Sequence, residues 1–330
     1  MPVPALDPTS LTALVRDSAT APSMHNAQPW RFHFASDSRT LRISADPARA
    51  MPTSDPDRRA VHIGCGAALF NLRVAAAHAG WHPGVRLLPD PADPLLMATV
   101  HFGADAATDE AGSLAALYPA VRQRHTSRWP FDDKEVPERV RAALAEAARE
   151  EQARLAFPGQ WHTEVLRELV LDAEGRDRED PGRLADIERW TRIGPEADVS
   201  TEGVPAYAFG PRKRRGEALV RDFAGRRAVA GRGATAFELV PHLALLGTTG
   251  DRALDWLRAG QAMERVLLLA TLHGLATSLT SHALEWPDLR SLARDPLSAM
   301  GHVQIVLRLG YGPMGPTTPR RPVNEILDIE

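Results

Sequence analysis

Three short stretches concentrate side chains able to hold a ligand. In RHTSR, residues 124–128, Arg124, Thr126 and Arg128 alternate, so an extended backbone would aim all three at one face. In PRRPVNE, near the end of the chain, Arg320 and Arg321 lie between two prolines that stiffen the backbone. Planar guanidinium groups grip phosphate through paired hydrogen bonds, which the point charge of a lysine does not match. The only lysines are Lys134 and Lys213. Either arginine motif alone reads as a solvated charge pair; together they could clamp a phosphate. The third stretch, APSMHNAQPWRF at 21–32, crowds Ser23, His25, Asn26 and Gln28 into a turn before a strand. An ordinary connector needs fewer hydrogen-bonding groups.

Elements around these stretches must position them. RFHF and LRISA flank the polar turn ASDSRT and read as a hairpin. DPDRRAVHIGCGAALFNLRVAAAHAG has apolar residues at helical spacing and stops on Gly80. Strand-like GVRLL and LLMATVHF follow, then RHTSRWPF and the helical PERVRAALAEAAREE. Further on come the strand-like ELVPHLALLGTT, a long helix from Asp251 and a final strand HVQIVLRLGYG. Between Gly175 and Gly233 the chain is rich in Arg, Gly, Pro and Asp and reads as irregular. Such an insert is a lid over a site or a mobile surface excursion.

Two segments resemble one another. GAALFNLRVAAAHAG (66–80) and GQAMERVLLLATLHG (260–274) both begin and end on glycine, and alanine recurs at matched places, Ala68 with Ala262 and Ala76 with Ala270. Each precedes an apolar strand. Small residues at these spacings let helices approach closely, so the chain reads as two related halves packed on each other.

Other chemistries find no support. No HExxH, P-loop or GxSxG occurs. GCGAAL at 64–69 fails as a dinucleotide fingerprint because no buried strand precedes it and Leu69 holds the third small position. Cys65, the one cysteine, reads as a core residue, and it excludes an intrachain disulfide. His242, His273, His282 and His302 lie in apolar runs and are expected to be hydrogen-bonded core histidines. A net charge of −3 argues against attraction to nucleic acid or anionic lipid. The basic run PRKRR at 211–215 reads as a solvated loop. With no signal-peptide pattern and no run of about 18 apolar residues, a cytoplasmic protein is expected.

APSMHNAQPW, GCGAALFNLR, RHTSRWPF, DRALDWLRAGQAMERVLLLATLHGL and RLGYGPMGPTTPRRPVNE occur in an order that resembles the FMN-dependent nitroreductase superfamily, in its Acg-like branch of fused single chains. The resemblance implies an α+β, nitroreductase-like fold whose two related halves form an intramolecular pseudo-dimer, each with a β-sheet flanked by helices. Residues 1–120 would supply the turn against the flavin ring, and residues 121–330 the FMN phosphate clamp, with a lid at about 175–233. Carried over residue by residue, the phosphate would meet Arg124, Thr126, Arg128, Arg320 and Arg321. The ring would meet Pro22, Ser23, Met24 and Asn26, and backbone near Thr280, Ser281 and His282 would face flavin N5. Gln28 and Trp30 would hold the turn and anchor the hairpin. A basic side chain near flavin N1 and O2 is also implied, with Arg226, Arg227 and Arg232 as its candidates.

The implied activity is transfer of a hydride from NAD(P)H through FMN to a nitroaromatic or quinone-like acceptor, by a monomer acting as a pseudo-dimer. The alternative is a protein that stores FMN with little or no turnover. Because the clamp and the ring turn occur once each, one FMN per chain is expected.

Overall fold

The computed structural model describes residues 6–103, 109–215, 219–225 and 227–330. In the strand Trp30–Ala35 the aromatic residues Trp30, Phe32 and Phe34 alternate with polar ones and point inward. Thr40–Ala45 answers with Leu41 and Ile43, in the antiparallel register Phe32↔Ile43 and Phe34↔Leu41. The hairpin thus buries one face, and Leu96–His101 and Gly84–Leu87 extend it.

The fifth strand of this sheet is unexpected. Leu327–Ile329, at the end of the chain, returns from the second half and pairs parallel with Trp30–Ala35, Phe32 opposite Leu327. HVQIVLRLGYG therefore does not hold the last strand. A three-residue strand carries too little periodicity to be read from sequence. Its return lays PRRPVNE beside the turn at 21–28.

The second sheet is antiparallel and runs Ala276–Thr280, His302–Gly310, Leu243–Thr248, Arg154–Ala156. Between the sheets lie two 20-residue helices, Arg59–His78 and Ala253–Leu272. Asp55 starts the first by accepting the free N–H groups of Ala60 and Val61 at 3.0 and 3.1 Å. Gly80 follows its end at φ +83°, a conformation that favours glycine.

The two helices cross where their glycines meet. A Cβ on Gly66 would lie 2.2 Å from the carbonyl oxygen of Leu257, and one on Gly260 would lie 2.1 Å from that of Ile63. Only hydrogen fits at either place. One hydrophobic cluster runs from Trp30, Phe32 and Ile43 through these helices to Leu246 and Leu307. The helix Arg59–His78 passes a length-and-composition test for crossing a membrane, but it lies mostly buried among its neighbours, as a core helix does.

The stretch 175–233 holds more structure than its composition suggests. It includes the helix Pro181–Arg189, a turn of helix at Glu196–Val199, and two short parallel strand pairs, one of them shared with Ala234–Ala236. Val204, Val220, Arg221 and Phe223 from this stretch face a cleft that residues 22–26, 124–126 and 128 also line.

Candidate functional site

The cleft is lined from both sides. The turn gives Pro22, Ser23, Met24, His25 and Asn26; the second half gives Arg124, His125, Thr126, Arg128, Ser281, His282 and Arg320. Ten of the twelve residues singled out in the sequence therefore line the one cleft.

The turn is bent in an uncommon way. His25, Asn26 and Gln28 have φ of 50, 56 and 54°, the left-handed region that costs non-glycine residues free energy. Long-range hydrogen bonds hold it there. Gln28 donates through Nε2 to the Thr201 carbonyl at 2.9 Å and accepts from the Arg321 backbone N–H at 2.8 Å. Asn26 donates through Nδ2 to the carbonyls of Gly203 and Pro319, at 2.9 and 3.0 Å. Asn26 Oδ1 accepts from Arg320 Nη1 at 3.0 Å. Both N–H donors of its amide thereby clip three segments together, and a second lone pair on Oδ1 is what it has left to offer a ligand. Ser23 Oγ accepts from the Gln28 N–H at 2.9 Å and keeps its own hydroxyl proton to donate. Trp30 is buried beneath, as expected.

Glycines fix RHTSR from two sides. The carbonyl of Thr126 lies 2.0 Å from where a Cβ on Gly315 would sit, and that of Arg128 lies 2.0 Å from the same point at Gly210. The Ser127 N–H donates to the Thr277 carbonyl at 2.8 Å, which stitches the segment to the second sheet.

Two guanidinium groups, Arg124 and Arg320, pack together at one end of the cleft, and Arg128 lines it beside Phe223. Arg124 Nη2 donates to the Thr20 carbonyl at 3.0 Å, while its Nε sits 3.3 Å from Glu264 Oε1 without hydrogen-bond alignment. Arg320 donates to the carbonyls of Ala19 and Thr20, both at 2.8 Å. Arg128 donates to the Ala208 carbonyl at 3.0 Å and lies 4.9 Å over the Phe223 ring. Burial pushes Arg320 down to about 9, helped by neighbouring Arg124, and pushes Arg128 down to about 10. It also lowers His125 to about 4, with Arg124 and Arg320 adding to the effect. Among the described residues Glu264 is the one carboxylate in salt-bridge range of either Arg124 or Arg320, and burial raises its pKa, disfavouring its charge. The end therefore carries excess buried positive charge, which an anion would relieve.

Two expected residues turn away. Arg321 follows Arg320 in an extended segment, so its side chain takes the opposite direction. It runs toward Asp46, 4.0 Å away, and donates to the Glu325 carbonyl. The Thr280 hydroxyl is used on the Leu219 carbonyl, and Thr280 does not line the cleft. Arg227 and Arg232 are held elsewhere, by the Phe223 carbonyl and by Asp222. Arg226 lies outside the described residues.

Two cleft cations were missed. Arg59 donates to the carbonyls of Gln304 and Leu284, at 2.6 and 3.1 Å, and burial lowers its pKa to about 10. A cation in the first turn of a helix opposes the helix dipole, and that misfit was the available sequence signal. Arg221 is gripped by Asp177 and Glu285, at 3.1 and 2.6 Å; nothing local in the sequence marks it. The histidine expectation also changes. His273 and His302 are exposed, and His242 is half-buried. Only His282 is in the core, and neither of its ring nitrogens has a partner.

A cleft with Arg124 and Arg320 packed together at one end and a mixed apolar and polar remainder suits a ligand with an anionic head and a planar body. Residues 121–329 match the Nitroreductase family model, and the chain belongs to that family. It is 31% identical over 317 residues to an uncharacterized Mycobacterium tuberculosis protein, Rv3127, covering 94% of this chain and 90% of that one. Two further proteins of that organism carry the provisional name NAD(P)H nitroreductase. One, Rv3131, is 31% identical over 97% of this chain and 90% of its own. The other, acg, is 28% identical over 97% and 95%. Among solved structures, a nitroreductase from Anabaena variabilis, also provisionally named, shares 12% identity and a TM-score of 0.43 over 91% of this chain and 73% of its own. The FMN-dependent nitroreductase NfnB from Mycobacterium smegmatis, solved with NADPH, shares 18% and a TM-score of 0.36 over 64% and 93%.

Proposed function

We propose that this chain is an FMN-dependent NAD(P)H oxidoreductase of nitroreductase type. One observation carries the reading: Arg124 and Arg320 pack together around a disfavoured carboxylate, Glu264, and Arg128 lines the same cleft. FMN bound here would supply hydride transfer between NAD(P)H and a nitroaromatic or quinone-like acceptor. The three arginines and the Thr126 hydroxyl hold the phosphate. Pro22, Ser23 and Met24 lie along the ring, with the Ser23 hydroxyl donating to it and the backbone at Ser281 and His282 facing N5. Arg59 has no carboxylate within salt-bridge distance among the described residues. It serves as the basic side chain near N1 and O2, where reduction places negative charge.

The site is built from two halves, residues 1–120 and 121–330, which act as a pseudo-dimer within a monomer. The reciprocal glycine contacts of Gly66 and Gly260 support that reading. The single buried cysteine fits a cytoplasmic location.

A second reading, FMN storage without turnover, is favoured by one feature. Arg221 is clamped by Asp177 and Glu285, which keeps Val220–Phe223 shut over the cleft as a lid. Anaerobic mixing of the FMN-loaded protein with NADPH or NADH separates the two. Bleaching of the flavin colour within seconds to minutes is expected of the oxidoreductase; a colour that persists assigns the chain to storage.

A further inference from the structure

The cleft also holds two histidines with an unusual property. His25 is 6% exposed and His282 is 1% exposed, and both line the cleft. All four of their ring nitrogens are buried and without a hydrogen-bond partner in the structure. Buried polar atoms are rarely left so, because each forfeits its bonds to water. The nearest carboxylate contact of His282 is Glu174, at 4.0 Å, beyond hydrogen-bond reach.

The rings are kept available. His25 is held at φ 50° by a turn whose hydrogen bonds come from Gln28 and Asn26, so its ring is aimed without being tied. Phe223 meets it edge-on, with centroids 5.2 Å apart and planes at 87°, giving the subsite an apolar wall. Burial, with Arg221 adding to it, drives both histidines well below the usual imidazole range. Each ring is neutral, with one N–H to donate and one nitrogen to accept.

We propose that the His25 and His282 side chains form the acceptor subsite of the cleft, donating hydrogen bonds to the carbonyl or nitro oxygens of a small planar aromatic molecule. This rests on the oxidoreductase reading and deepens it. Two neutral N–H donors beside a phenyl wall match an uncharged ring bearing oxygen acceptors. The backbone at His282 remains available to the cofactor whatever its side chain does.

The test uses benzamide, which presents a carbonyl on a planar ring and is not reduced. Calorimetric titration into the oxidised, FMN-loaded protein gives its affinity, and FMN affinity is measured separately by flavin fluorescence. His25→Gly removes one ring while accepting the left-handed backbone, and His282→Phe keeps the volume of the other. Each should weaken benzamide several-fold, and the pair about tenfold, as expected for losing two neutral hydrogen bonds. His25→Asn and His282→Gln, which retain an N–H, should recover most of the affinity, a result that loss of packing alone would not give. Unchanged benzamide affinity in the double variant, or no binding to the wild type, overturns the proposal. So does a loss of FMN affinity with benzamide untouched, which would give the nitrogens to the flavin. Failure to take up FMN at all would instead overturn the cofactor reading; titration of the FMN-free chain then decides the histidine subsite by itself.

Discussion

Arg128→Ala tests the phosphate assignment more cleanly than any other change in the cluster. Arg124 is unsuitable alone, because its removal strands the fully buried Glu264, and breaking such a pair costs about 3–5 kcal/mol of stability. Arg320 is unsuitable because it ties Ala19, Thr20 and Asn26 together. Arg128 has one protein hydrogen bond, to Ala208, and a stacking contact with Phe223. A charge-assisted hydrogen bond contributes about 1.5–3 kcal/mol, so losing it should weaken FMN about 10- to 100-fold. The loss of stacking should act equally on riboflavin, which has the same ring and no phosphate. The assay is therefore the ratio of FMN to riboflavin affinity, by fluorescence quenching, in wild type and variant. A ratio that falls at least about tenfold is expected. A ratio that stays constant, with both flavins weakened together, would show that Arg128 only packs and would refute the clamp.

Three further outcomes follow from the geometry. Glu264→Gln removes the carboxylate that competes for Arg124, so FMN should bind several-fold more tightly; weaker binding would show that Glu264 positions the clamp instead. Gly260→Ala places a methyl 2.1 Å from the Ile63 carbonyl, and overpacking of this kind should cost about 1–3 kcal/mol or more, read by urea denaturation. On acidification, His25, His125 and His282 have folded pKa values below the ordinary 6.5, His125 at about 4. Below about pH 6.5 the unfolded chain binds protons that the folded chain refuses, so stability falls toward pH 4, and His125→Gln should flatten part of that fall.

Much of the wall could be read from sequence because its signals are local. Alternation in RHTSR and paired prolines around Arg320 and Arg321 mark guanidinium groups on stiff backbone. Alternation along Trp30–Phe34 and the matched glycines of the long helices mark the scaffold. Local pattern does not say which of two adjacent arginines points inward, and the return of Leu327–Ile329 to the first sheet decides it for Arg320. The role of Asn26 depends on partners 177 and 293 residues away. Arg221 and Phe223 come from a stretch whose short helices and strands carry almost no periodicity. The emptiness around the His282 nitrogens is a property of packing, and apolar neighbours in sequence suggested the reverse.

The most direct test of a single cofactor site shared by the two halves is the number of flavins per chain. The protein is saturated with FMN, freed of excess, and its bound flavin measured by absorbance against protein from amino-acid analysis. The account predicts one FMN per chain, since Arg124, Arg128 and Arg320 line one cleft together with residues 22–26 of the strained turn. Two per chain would mean that each half carries a complete site, and none would mean that the arginine cluster holds some other anion; either result contradicts the account.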